Sequence, residues 1–175
     1  AAYGVVANVA LVATAVFNGI SQGSQPLLSD YYGKNDDKSV QKILRLSIIT
    51  GIAAAVLIIL VTNLIPDVIV AVFNNENNAE MASYAVFGVQ LYFTGFLFAG
   101  FNIIGTGFLS ATESAAWAFI TSVLRGFVAI SLCALLLSAL FGMTGVWLAF
   151  PVAEFITAVL MVIAIAQNVR KMRTK

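Results

Sequence analysis

Five apolar runs separated by short polar breaks organise this chain of 175 residues. The runs extend from about Val5 to Tyr32, Ile43 to Phe73, Met81 to Leu109, Ala115 to Leu140 and Thr144 to Asn168. Each exceeds the roughly 20 residues that cross about 30 Å of hydrocarbon at a rise of 1.5 Å per residue. The pattern predicts an all-α integral membrane protein with five transmembrane helices. Pro66 divides the second run: residues 46–65 suffice to cross, leaving 66–73 as a kinked extension near the interface. The breaks carry turn and cap chemistry. Gly33 to Ser39 is the longest, Asn74 to Asn78 is a second, Phe141 to Gly145 is a tight hairpin, and Thr112 or Ser114 is a possible N-cap for the fourth span.

Composition agrees with a bilayer as solvent. Apolar residues make up 61% of the chain and charged residues only 10%, against about 25% charged in a soluble domain; the mean hydropathy is +0.97. A net charge of +1 leaves no basic field for nucleic acid. There is no histidine, so the commonest acid/base group and metal ligand is missing, and neither a nucleophile–base pair nor a metal-ligand spacing is present. The chain is expected not to be an enzyme and to hold no metal or cofactor. The single cysteine, Cys133, lies in an apolar run and reads as a small packing residue.

Charge sets an expected orientation. Lys34, Lys38, Lys42 and Arg45 cluster after the first span, and Arg170, Lys171, Arg173 and Lys175 form a tail over residues 169–175. The other breaks carry only Glu76, Glu80 and Glu113. The positive-inside rule puts the first loop and the C-terminus in the cytoplasm. An even number of spans separates them, so the two assignments agree. The same parity places Ala1 outside. A chain starting inside the cell needs an odd number of spans before it, so upstream helices are expected; the start is not that of a signal peptide.

Within these runs, polar residues stand out. Asn18, Gln22, Gln25 and Ser29 are spaced 4, 3 and 4 apart, which brings them within about 60° of one another on a helix. Pro26 cannot donate to the Gln22 carbonyl and is expected to bend the helix. The set suits the wall of a wet cavity; the alternative is polar glue between helices. Arg125 and Glu154 lie about 15 Å deep from opposite ends of neighbouring spans. A lone charge there costs at least about 3 kcal/mol, so pairing is expected. A fixed structural pair is favoured over proton cycling, because an arginine keeps its carboxylate ionised.

The third run carries Gln90 and Thr94 on one face, as further cavity candidates, and Asn102 and Thr106 on another. Its glycines at 88, 95, 100, 105 and 107 read as packing sites. Its aromatics Tyr92, Phe93, Phe96, Phe98 and Phe101 could wall a site for a flat cation, although lipid-facing phenylalanine is the commoner explanation. Asp30, Tyr31 and Tyr32 fall at the inner interface, where tyrosines anchor.

The run Gly19-Ile-Ser-Gln-Gly-Ser-Gln-Pro-Leu-Leu-Ser-Asp-Tyr-Tyr-Gly-Lys-Asn35 resembles the signature ending the eighth helix of the MATE (multidrug and toxic compound extrusion) transporters, and looks closest to a MepA-like bacterial branch. Ser110-Ala-Thr-Glu113 is similar to that family's tenth-to-eleventh connection, and Gly145-Val-Trp-Leu-Ala-Phe-Pro-Val-Ala-Glu154 to its twelfth-helix motif. The resemblance implies helices eight to twelve of a twelve-helix protein, a partial C-terminal lobe spanning residues 1–175 that faces a second lobe across a cavity. It also implies H+- or Na+-coupled export of amphipathic, often cationic compounds by alternating access, in a bacterial inner membrane. Membrane lipid, small-molecule drugs and the missing N-terminal lobe are the implied partners. The family's coupling acids lie on helices absent here or on the third span, which has no carboxylate between Glu80 and Glu113; the ion site is expected outside this chain. Two other readings remain: a lipid-linked saccharide flippase of the same superfamily, and a non-transporting five-helix membrane scaffold.

Overall fold

The computed structural model describes residues 2–73 and 79–173, and among them it is helical throughout apart from short turns. α1 (Ala2–Gly33) and α2 (Asp37–Leu64) are long spans. α3 (Pro66–Phe73) follows a break at Ile65, where Pro66 has no N–H to continue the ladder. α4 (Ala79–Phe93) and α5 (Phe96–Ala111) come next. α6 (Ala115–Val123) passes through a π-helical stretch, Leu124–Ala129, into α7 (Ile130–Phe141). α8 (Met143–Arg173) closes the bundle. Four helical units are long and apolar enough to cross a membrane, and α4 with α5 make a fifth crossing if taken as one bent span. The break Asn74–Asn78 lies outside the described residues.

Three boundaries differ from the expected ones. The third run is two helices bent by 48°. Gly95 sits at the bend because a Cβ there would come within 2.9 Å of the Pro151 backbone, and Thr94 turns its hydroxyl onto the Leu91 carbonyl at 2.7 Å. The fourth run contains the π-helical stretch, one wider turn in an otherwise α-helical span. Residues 169–173, expected as a tail, continue α8. Pro26 lies inside α1, which runs on to Gly33. Ser114 occupies the N-cap position of α6 without a side-chain cap bond, because its hydroxyl takes a hydrogen bond from Asn168 Nδ2 instead. The α2 start is capped as its sequence predicts. Asp36 accepts from the Ser39 N–H at 3.1 Å and the Ser39 hydroxyl at 2.6 Å, which holds its carboxyl below the ordinary carboxylate range.

α5 is the hub, touching α1, α2, α6 and α8. Lipid is as apolar as leucine, so close packing rather than water expulsion holds such helices together, and the glycines provide it. A Cβ on Gly88 would meet the Trp147 ring at 2.6 Å, and one on Gly105 would meet Met161 Sδ at 2.5 Å. Gly100 lies against Phe17 and Gly107 against Ser21. Three aromatics of the third run, Tyr92, Phe93 and Phe96, pack against protein, whereas Phe98 and Phe101 are half-buried. Tyr92 stacks on Phe150 at 4.2 Å, and Phe93 on Phe96 at 4.9 Å, in one cluster with Phe17. Cys133 is buried among Ala129, Ala149 and Ala153. Large apolar side chains such as Leu11, Leu57, Leu135 and Leu140 cover the outside.

Candidate polar cleft and intramembrane ion pair

A run of amides and hydroxyls on an apolar helix needs water or a polar partner, since hydrocarbon satisfies none of them. α1 places its run beside a cleft of about 240 Å³ between α1, α5 and the α6 end of the fourth span. Asn18, Gln22 and Gln25 line one side, Thr106 and Ser110 the next, and Ser122 with Arg125 the third. An adjoining cleft of about 360 Å³ continues along Gln22, Gln25, Pro26, Ser29 and Ser110. From Asn18 to Ser29 the polar track covers about 16 Å of helix axis. Its Ser29 end is the one nearer the first loop.

The contacts separate glue from cleft wall. Ser21 is the glue: it is buried, and its hydroxyl donates to the Ile103 carbonyl of α5 at 3.3 Å. Gln25 Nε2 donates to Ser21 Oγ at 3.4 Å. Asn18 and Gln22 are exposed, and neither has a hydrogen bond from its side chain among the described residues. Gly107 makes the approach of α1 to α5 possible, since any Cβ there would strike Ser21 Oγ and lie 2.9 Å from Gln25 Nε2. Gln90 and Thr94, the two cavity candidates of the third run, do not line this cleft. They stand on a different face of the third run from Thr106.

Arg125 and Glu154 meet as expected. Arg125 Nε donates to Glu154 Oε1 at 2.7 Å. Glu154 is 3% exposed. Asn102 adds what sequence spacing did not reveal: its Nδ2 donates to Glu154 Oε2 at 2.7 Å and to the Glu154 carbonyl at 2.9 Å. Both carboxylate oxygens are therefore engaged from two helices. Arg125 projects from the π-helical stretch, with its side chain 28% exposed, and its terminal guanidinium nitrogens have no bond among the described residues. One end of Arg125 thus neutralises Glu154 while the other lines the polar cleft. A second buried network was also missed: Asn168 Nδ2 donates to Thr112 Oγ1 at 3.1 Å and to Ser114 Oγ, tying α8 to the α5–α6 turn.

The MatE family profile matches residues 1–135. Over 160 residues the chain is 26% identical to the "Multidrug export protein MepA" of Staphylococcus saprophyticus, covering 90% of this chain and 34% of that protein. The protein of the same description from Staphylococcus haemolyticus is 28% identical over 162 residues, with 91% and 34% covered. The chain thus spans about a third of the length of these relatives. Among solved structures, an outward-facing multidrug resistance MATE family transporter of the MOP superfamily superposes with a TM-score of 0.94 at 10% identity. The bent form of the Vibrio cholerae MATE transporter VcmN superposes with a TM-score of 0.91 at 15% identity. Each comparison covers 99% of this chain and 39% of the other. Four crossings, or five with the bent pair, a shared fold and a profile match over most of the length agree: this chain belongs to the MatE family.

Proposed function

We propose that the chain is the C-terminal part of a cation-coupled multidrug efflux antiporter, and that its polar cleft is one wall of the substrate pathway. The protein exports amphipathic, often cationic compounds by alternating access against an N-terminal lobe supplied by the rest of the protein. It does so in a bacterial inner membrane, with the first loop and the C-terminus cytoplasmic. The coupling ion is H+ or Na+, held outside this chain.

The observation that carries this reading is the cleft itself. Asn18 and Gln22 have no side-chain partner among the described residues, and they line the cleft with Arg125 and the Thr106–Ser110 side of α5 in an otherwise greasy bundle. Neutral amides offer both donors and acceptors without a fixed charge, which suits many compounds rather than one. Among the described residues Arg125 is the one cation lining that cleft, so a pathway for phosphate-bearing lipid-linked saccharides is less well served. A scaffold with no pathway has no use for unpartnered amides in a membrane span.

Gln25 tests the reading. In the whole transporter, Gln25→Ala is expected to lower drug efflux several-fold while membrane abundance stays normal, measured as dye extrusion per unit of protein. Unchanged efflux with unchanged abundance would remove Gln25 from the pathway.

A further inference from the structure

We infer that the groove between the start of α2 and the end of α8 is a binding site for an anionic phospholipid. Lys42 and Arg45 form its rim with Gln41, and Ile48, Ile49 and Val169 form its floor, around a cavity of about 730 Å³. The argument rests on the membrane-spanning fold and not on what the protein carries.

Charge is the first consideration. Lys42 and Arg45 are exposed, and neither has an ion pair among the described residues. Among the described residues no acidic side chain lines the groove. Arg173, at the end of α8, donates from Nη2 to Gln41 Oε1 at 3.4 Å. That contact places a third cation beside Gln41, next to the groove. Such basic pockets beside transmembrane helices attract phospholipid headgroups.

The floor distinguishes a lipid from a free anion. Positions 42, 45 and 49 are three, four and seven apart, so Lys42, Arg45 and Ile49 share one face of α2. From Lys42 to Ile49 is about 10 Å along the axis, the distance from headgroup level into the acyl region. A soluble phosphate has no use for an isoleucine-lined floor below its charges. An acyl chain does, and close packing against the isoleucines would hold it there. The lipid's phosphate would sit on Lys42 and Arg45, with a chain running down past Ile48, Ile49 and Val169.

Native mass spectrometry of the purified protein in detergent, titrated with dioleoyl phosphatidylglycerol or dioleoyl phosphatidylcholine, tests this. The wild type should bind phosphatidylglycerol about tenfold more tightly, and Lys42→Gln with Arg45→Gln should abolish the preference. Lys34→Gln, which removes a cation paired to Asp30 at 2.7 Å, should leave it intact. Ile49→Trp keeps both charges but fills the floor, and should weaken phosphatidylglycerol binding. Equal binding of the two lipids by the wild type would overturn the inference without recourse to any variant. So would a preference that survives the double substitution, or displacement of the lipid by millimolar inorganic phosphate, which would mark a free-anion site.

Discussion

Glu154→Ala is expected to destabilise the protein by about 3–5 kcal/mol, the cost of breaking a buried ion pair from one side. The carboxylate is the common acceptor for α5 and for the π-helical stretch, through Asn102 and Arg125. Its loss leaves Asn102 Nδ2 with only the main-chain carbonyl of residue 154 and leaves a guanidinium within the membrane without its counter-charge. Glu154→Gln keeps an acceptor oxygen and should cost less, yet should still lower abundance more than activity per molecule. Pairing Glu154→Gln with Arg125→Gln should recover about 1–3 kcal/mol relative to the sum of the single changes, because no charge is then left alone. Membrane abundance and thermal unfolding in detergent read these effects. Normal abundance with abolished transport would instead assign Glu154 a chemical part in the cycle.

Gly145→Ala should be nearly as damaging, by about 3 kcal/mol, at the upper end of overpacking costs. The obstacle is backbone rather than a flexible side chain: a Cβ at 145 would run into the Leu137 carbonyl across the α7–α8 hairpin. The hairpin has no slack to yield. Gly142 turns it with φ 58°, and its N–H bonds the Ser138 carbonyl at 2.9 Å. Gly19→Ala is the matched control, since nothing lies within 4 Å of its Cβ position and alanine is the better helix former. Thermal unfolding should separate the two variants clearly. Equal melting would mean that the hairpin opens at little cost.

Much of this architecture is legible before any coordinates. Apolar run length gives the crossings, and Pro66 marks the α2–α3 break because a missing N–H is a local property. Arg125 and Glu154 can be paired from depth alone, each about 15 Å from opposite ends of adjacent spans. What is not legible depends on neighbours. The bend at Gly95 needs the Pro151 backbone beside it, and nothing in residues 81–109 announces that neighbour. Gln90 and Thr94 stand on a different face of the third run from Thr106, so they do not reach the cleft that Thr106 lines, with or without that bend. The π-helical stretch shifts the phase of the fourth span without a proline to flag it, and Arg125 within it reads from sequence only as an ion-pair partner. Asn102 was visible as a buried amide, but its alignment with Glu154 requires the packing of α5 on α8. Ser21 lies one position before Gln22, and only the approach allowed by Gly107 makes it the bridge to α5. Ser114 and Thr112 read as caps because capping is the local use of a hydroxyl, whereas here Asn168 of α8 claims both.

The central claim is that the Asn18–Ser29 face of α1 is a wet wall of the substrate pathway. Cysteine accessibility tests it most directly, in a background where Cys133, the single cysteine of this chain, and any cysteine in the rest of the transporter are replaced by alanine. Gln22→Cys in the membrane-embedded transporter should react with a charged, membrane-impermeant thiol reagent applied from the first-loop side, and an exported drug should slow the reaction several-fold. Leu132→Cys, on the exposed apolar face of α7, should stay unmodified. A Gln22→Cys thiol as inert as that at position 132, or one whose labelling ignores every transported drug, would contradict the account.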